Sequence, residues 1–548
     1  MIKKGSLKMT HTVKGIDYET ALANLRRAEP QLNGTLPEKE VLLKTFHPDY
    51  APSAHTTLSV GVNAGDSCHP DLAKLLTAHA LIEDYDLAGA ESMRTDVLVI
   101  GGGGAGAAAA LTAAAEGASV IMANKLRIGD SNTVMAEGGI QAAVGEDDSL
   151  QRHYDDTIKG GHMAGKKELV AQMVSDAPSA IRWLIGLGMD FDTQGGDRNG
   201  KLVRKKAGGT TAQRILCHRD FTGLEMMKVL REAVEIEPRI TQLNRHPAVE
   251  LLSDNEGNCV GAVLYDLEKR QLVTVHANAV ILATGGSGRL HLQGFATSNH
   301  YGATADGLVL AYRIGAKLRD MDSFQYHPTG VAHPPHMAGA LISEATRSAG
   351  TKLVNGLGER FVDELQPRDV VAAAILREVQ EGRGVVRDGQ VGVFLDTPRI
   401  IAEQPDIMKR LVTLGHVAHK CGVHPESEPL IIHPTLHYQN GGIEINGDCE
   451  TTVKGLYAAG EVSGGIHGRN RLMGNALLDI ISFGRRAGRA AAKAPRRNNV
   501  RGGLKHVHNF QRALQKAGVK SEVKAPVLYP DYGTFDWKEH AGLICAID

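Results

Sequence analysis

The residues whose types and spacing suit chemistry begin at DVLVIGGGGAG, positions 96–106, where Gly101, Gly103 and Gly106 follow the pattern Gly-x-Gly-x-x-Gly. Glycines at that spacing let a backbone approach a pyrophosphate, and a helix that follows presents its amides and partial positive charge to the anion. The surroundings support this reading. A β-branched apolar run, Val97 to Ile100, leads in, the helix-forming run AAAALTAAAEG leads out, and a second apolar stretch, ASVIMANK, comes next. A dinucleotide site is expected here. The acidic residue that would grip an adenosine ribose is replaced around Asn124 by an amide, which can bond a hydroxyl without charge assistance. That departure argues against NAD.

Two later segments sharpen the choice of ligand. ANAVILATGGSGR, 277–289, is an apolar strand running into a glycine turn that contains Thr284, Gly285 and Gly286. GLYAAGEVSGG, 455–465, repeats the design and sets Glu461 to meet a hydroxylated ligand. Three strand-to-glycine segments so far apart suit a long FAD threaded along one sheet. No second Gly-x-Gly-x-x-Gly follows a strand, as a separate nicotinamide domain would require. Beyond the first loop, GDSNTVMAEGG, 129–139, carries Asn132, Thr133 and Glu137 and closes on the pair Gly138, Gly139.

These segments need an α/β scaffold, and the chain is long enough for one. At 548 residues it exceeds a single core and predicts roughly two to four domains. The net charge is −1, and no strong charge asymmetry points to nucleic acid. The basic cluster Lys201, Arg204, Lys205 and Lys206 reads as a solvated loop. No stretch reaches the ~18 uninterrupted apolar residues of a membrane span. The opening MIKKGSLKMTH has no apolar core after it, so it is not read as a secretory signal. The expected location is cytoplasmic, with partners able to hold the chain at the inner face of a membrane. Six cysteines (Cys68, Cys217, Cys259, Cys421, Cys449, Cys545) stand singly and form no CxxC. No metal site, iron–sulphur cluster or covalent haem is expected within the chain, so electrons must come from elsewhere.

DVLVIGGGGAGAAAA, AEGG, AVILATGG, QYHPTG, LISEATR, PRDVV, LHYQNGG and HGRNRL occur in the order found in the flavoprotein subunits of succinate dehydrogenase and fumarate reductase. The chain resembles that family over 95–490, and L-aspartate oxidase, of the same superfamily, shares most of these segments. The resemblance implies a doubly wound, Rossmann-like FAD domain over 95–321 and 434–490. It also implies an inserted α+β capping domain over 322–433 that closes over the flavin. Residues 1–94, an amino-terminal extension, and 491–548, a short carboxy-terminal segment, are not explained by it. In the extension, DYETALANLRRAEPQL (17–32) and DLAKLLTAHALIEDYDL (71–87) have helical apolar rhythms around a turn-rich stretch. The extension is expected to pack on the FAD domain or on another subunit.

The family's chemistry is hydride exchange between flavin N5 and a C4 dicarboxylate, fumarate or succinate. By resemblance, His437 and Arg471 clamp the substrate carboxylates from the FAD domain, and His327 and Ser343 clamp them from the capping domain. Arginine suits this task because its fork binds a carboxylate in two places. Arg368 resembles the family's proton donor, and Glu344 with Arg347 its relay to solvent; an i,i+3 spacing brings those two side chains together on one helical turn. An iron–sulphur subunit is the expected electron partner. Aspartate oxidation, or reduction of another unsaturated carboxylate, remains the alternative. LISEATR and PRDVVAAAI are closer to aspartate oxidase, but Ala207 stands where those enzymes usually carry a glutamate for the substrate ammonium. A reading of another class is an FAD electron-transfer or scaffold subunit with no organic substrate. Finally, Asn132 aligns with the histidine that bonds covalently to flavin in the family, and an amide cannot make that link. Non-covalent FAD and a bias toward fumarate reduction are therefore expected.

Overall fold

The computed structural model describes residues 14–29, 31–32, 36–87, 89–197, 200–496 and 502–528. The opening residues 1–13, which do not read as a secretory signal, and Cys545 lie outside the described residues.

The chain divides into two compact units. The first takes the described residues of Met1–His47, with His327–Ile342 and Thr346–Thr435. The second takes Pro48–Tyr326, Ser343–Ala345 and the described residues of Leu436–Asp548. The stretch 1–94, a single extension by sequence, is shared between them.

The second unit is built on a seven-stranded sheet. Four of its strands, Ile240–Asn244, Val120–Asn124, Glu91–Ile100 and Gln271–Leu282, lie side by side and parallel. Leu456–Ala458 adds in parallel to one end of Gln271–Leu282, and the antiparallel strands Cys259–Asp266 and Ala248–Ser253 extend the other. The apolar run that reads as a strand in the sequence is buried from Val97 to Ile100, as a parallel strand covered on both faces must be. Helix Gly104–Ala115 is nearly all alanine and glycine. Its small side chains are buried and let it pack closely against helix Asn475–Ala492. This is the doubly wound, Rossmann-like architecture expected from the sequence.

The first unit is α+β. Its strands Ile16–Asp17, Val385–Arg387 and Gln390–Leu395 are ordered side by side, and Leu353–Val354 also pairs with Gln390–Leu395. The sheet continues through Leu430–Gln439 and Phe324–Val331, whose chains run on into the second unit. Helix Tyr18–Arg27 starts where the Asp17 carboxylate accepts the Thr20 amide at 3.1 Å. It buries Tyr18, Ala21, Leu22 and Leu25 against Val354, Val385, Phe394 and Ile431. The helical rhythm at 17–32 is therefore real. The one at 71–87 ends early: the helix is Pro70–Leu76. Beyond it the chain extends, because the His79 backbone bonds both Val523 and Ala525 at 2.9 Å. A further helix, Lys39–Phe46, lies outside both expected rhythms.

Candidate active site

Three glycine segments meet at the carboxyl ends of the parallel strands. Gly101, at φ +118°, is in a region that side-chain-bearing residues avoid. A Cβ at Gly106 would collide with the Gly101 carbonyl, and one at Gly101 with the Ala283 carbonyl just ahead of Thr284–Gly286. Gly103 ends the turn ahead of helix Gly104–Ala115, and Thr133 Oγ1 accepts the Gly104 amide at 3.2 Å. Gly286 abuts the Glu461 carboxylate. Gly138 faces Met473, and Gly139 packs against Leu216 and Ile215, while Glu137 is half-buried.

The residues here fit an FAD. Asn124 is 1 % exposed, donates its Nδ2 to Asn244 at 2.9 Å, and turns its Oδ1 toward Gly102 of the glycine loop. Among the described residues, Asn124 Oδ1 and Thr284 Oγ1 are buried without a hydrogen-bond partner. Unpaired buried polar atoms are costly; the Asn124 oxygen can accept a nucleotide hydroxyl, and the Thr284 hydroxyl can donate to a phosphate oxygen. Burial pushes the Glu461 carboxyl upward, against hydrogen bonds from the Gln439 amide and Asn132 and the field of Arg471.

Asn132 links the glycine segments, through Asn299, to His437. Its Nδ2 donates to Glu461 Oε2 at 3.1 Å and to Asn299 Oδ1 at 3.2 Å, and its Oδ1 accepts the His300 amide at 2.6 Å. Asn299 Nδ2 in turn donates to the His437 carbonyl at 2.7 Å, while Ser298 Oγ lies 2.7 Å from His437 Nδ1. Nothing in the sequence singles out Ser298 and Asn299, and His300 has no ligand pattern there.

Arg471 is 5 % exposed. Its guanidinium lies 4.4 Å over the Tyr438 ring and donates Nη2 to Gln325 Oε1 at 2.9 Å. Gln325 Nε2 returns a bond to the Arg471 carbonyl at 2.6 Å. Behind Tyr438, His467 Nε2 sits 3.2 Å from Asp479, and burial holds this imidazole below its ordinary pKa despite that carboxylate. The second unit also holds Ser343, whose Oγ accepts the Ala345 amide at 3.3 Å, and Glu344, whose Oε1 accepts the Gly208 amide at 2.9 Å. Ala207, beside Gly208, packs in an apolar cluster with Ile215, Cys217 and Met473.

The first unit carries the other three expected residues. His327 is 1 % exposed, with the Thr329 amide 3.2 Å from its Nδ1. Arg347 is buried and donates to the Glu364 carbonyl. Arg368 is the first residue of helix Arg368–Gln380, buried at that helix's positive end. Among the described residues, no group of three or more His, Cys, Asp or Glu is arranged to hold a metal ion, and no helix is long and apolar enough to cross a membrane.

The fold and its three glycine segments together define an FAD-dependent oxidoreductase. Comparison with known proteins agrees. Residues 96–477 match the family described as FAD binding domain. The chain is 39 % identical to a CoM/CoB fumarate reductase subunit of Methanothermobacter marburgensis, over 77 % of this chain and 76 % of that one. It is 36 % identical to an L-aspartate oxidase of Streptomyces coelicolor, over 72 % and 68 %. Among solved structures, a quinol fumarate reductase flavoprotein of E. coli superposes with a TM-score of 0.69 at 32 % identity, covering 78 % of this chain and 74 % of that one. The chain belongs to the fumarate reductase and succinate dehydrogenase flavoprotein family. It is thus an FAD-dependent oxidoreductase of the type acting on CH–CH bonds.

Proposed function

We propose that the chain reduces the double bond of fumarate, or of a closely related C4 dicarboxylate, with electrons delivered by an iron–sulphur partner. The observation that carries this reading is the hydrogen-bond chain from Glu461 through Asn132 and Asn299 to His437. It ties a cofactor-binding strand end to a residue suited to hold a carboxylate.

Each residue has a role in the proposal. Gly101, Gly103 and Gly106 receive the pyrophosphate of FAD, Asn124 and Glu461 its hydroxyls, and Thr133, Glu137, Gly138, Gly139 and Thr284–Gly286 line its path. Bound FAD supplies hydride chemistry to one alkene carbon. His437 and Arg471, with His327 and Ser343, hold the two carboxylates. Arg368 gives a proton to the other carbon, and Glu344 and Arg347 return one from solvent. A guanidinium seldom gives up a proton. At the first position of a helix, the unpaired amides disfavour a second positive charge, which lowers the cost of a transient transfer.

The methyl group of Ala207 in its apolar cluster offers no counter-charge to an ammonium, which favours a substrate without an amino group over aspartate. At position 132 an amide already engaged with Glu461 and Asn299 supports non-covalent FAD, and with it a preference for reduction over succinate oxidation.

The test is turnover of fumarate with a reduced viologen dye as donor. Arg368→Gln should retain its FAD and lose roughly 10²–10⁴-fold in kcat, the range of a general acid. The flavin should leave with the supernatant when the protein is precipitated with acid. Turnover of Arg368→Gln at the wild-type rate, or flavin remaining in the precipitate, would each overturn its part of the reading.

A further inference from the structure

We propose that residues 48–69 of the amino-terminal stretch are a positioning element of the substrate site, with Asp49 holding the strand that orients Arg471. This rests on the reading of Arg471 as a carboxylate-binding residue.

Asp49 is 4 % exposed, and its Oδ2 accepts the Phe324 amide at 2.8 Å. Phe324 opens the strand that continues into Gln325 and His327. Successive residues of a strand project to opposite faces, so the backbone at Phe324 sets where the next side chain, Gln325, emerges. Gln325 is the residue that grips Arg471, from its guanidinium at 2.9 Å and its carbonyl at 2.6 Å, and it also donates to Asn470 Oδ1 at 2.9 Å. One hydrogen bond from the amino-terminal stretch therefore stands two links behind the arginine.

The rest of 48–69 follows the same strand and its approach. Asn63 exchanges two hydrogen bonds of 2.8 Å with the Leu318 backbone. The His69 amide donates to the Met321 carbonyl at 3.2 Å, and its ring meets the Phe324 ring edge-on at 5.8 Å. His55 Nδ1 lies 3.4 Å from Asp322, whose other oxygen binds Arg469 at 2.7 Å, two residues before Arg471. The segment thus braces both stretches of chain that meet at the Gln325–Arg471 pair. Burial pushes the Asp49 carboxyl up to about 8, against the pull of the Phe324 amide and Arg469. At neutral pH it serves mainly as a neutral acceptor, which asparagine can imitate and alanine cannot.

The experiment compares full-length, FAD-loaded wild type, Asp49→Asn and Asp49→Ala. It measures KM and kcat for fumarate with a reduced viologen dye, and hydrogen–deuterium exchange at 324–326 and 470–472. Asp49→Ala should raise KM roughly tenfold, a loss of about one ordinary hydrogen bond to a binding residue. It should change kcat less and speed exchange in both segments, while Asp49→Asn stays close to wild type in both readouts. Should Asp49→Ala not accumulate, Asp49→Leu, of similar shape but with no acceptor, carries the same expectations. Wild-type exchange at 470–472 in the acceptor-less variant, or Asp49→Asn behaving like Asp49→Ala, would overturn the proposal. If wild type does not turn over fumarate, the functional reading fails, and the exchange comparison still decides whether Asp49 positions Arg471.

Discussion

At the scale of single residues, Asp49 also makes a prediction about pH. Its carboxyl has an ordinary value of 3.8 and is pushed up to about 8 by burial. Between those values the folded protein keeps a proton that the unfolded chain releases. The stability this contributes is fully present below about pH 4 and is lost as pH rises through 8. Asp49→Asn removes that titration and keeps the acceptor for Phe324. The melting temperature of Asp49→Asn relative to wild type should therefore rise steadily from pH 5 to pH 8, and a difference independent of pH would contradict the assignment. Other residues were legible from sequence alone. Gly101 and Gly106 announce a tight strand-to-helix turn because only glycine tolerates the φ of the first and the close approach of the second. Gln325 and Asn299 were not legible. A single amide in a strand or loop carries no spacing pattern, and its partners, Arg471 and His437, lie more than a hundred residues away in sequence.

At the scale of elements, helix Arg368–Gln380 depends on a neighbour that no periodicity revealed. Helix Lys39–Phe46 packs against it, and Lys39 Nζ lies 3.6 Å from Asp369, the residue after Arg368. With eight residues, Lys39–Phe46 is too short to be stable on its own. Its stability comes from burying Leu42 and Leu43, at 0 % and 4 % exposure. Shortening Leu42 to alanine removes buried methyl groups and leaves a cavity, at a cost of about 2–5 kcal/mol. Leu42→Ala should lower the denaturation midpoint by a corresponding amount, and a midpoint equal to that of wild type would remove this helix as a support. The Rossmann-like elements were easier to read, because a buried parallel strand is a continuous apolar run and its crossover helix a continuous run of alanines. The extended stretch at 78–82 was not, since its partner is the backbone at 523–525 and backbone pairing leaves little trace in side-chain order.

At the scale of the whole chain, parts of the two segments that the family resemblance left unexplained prove to be built together. Ala80 and Ile82 of the extended stretch share a core with Leu504, Val507 and Leu528 and with the antiparallel strands of the FAD-domain sheet. Within the same unit lies a buried ionic group. Glu250, fully buried in strand Ala248–Ser253, pairs with Arg313 of helix Asp306–Ile314 and sits 3.4 Å from His506 of helix Lys505–Lys516. Arg313 also donates to the Ala525 carbonyl at 3.0 Å. Burial alone would raise the Glu250 carboxyl, yet Arg313 and His506 outweigh it and hold the group below its usual 4.5. One carboxylate therefore fastens an edge strand of the sheet, a helix and the carboxy-terminal segment. Replacing both members of such a pair with apolar residues is often harmless, whereas removing one leaves the other charge buried and uncompensated, at about 3–5 kcal/mol. Glu250→Leu should lose that much in equilibrium denaturation, and Glu250→Leu combined with Arg313→Met should recover most of it. Wild type should also weaken as pH falls below 4.5 through the depressed value of Glu250, a dependence that the double variant lacks. A single variant as stable as the double would mean that the ionic group does not hold these segments, and that the shared apolar core alone does.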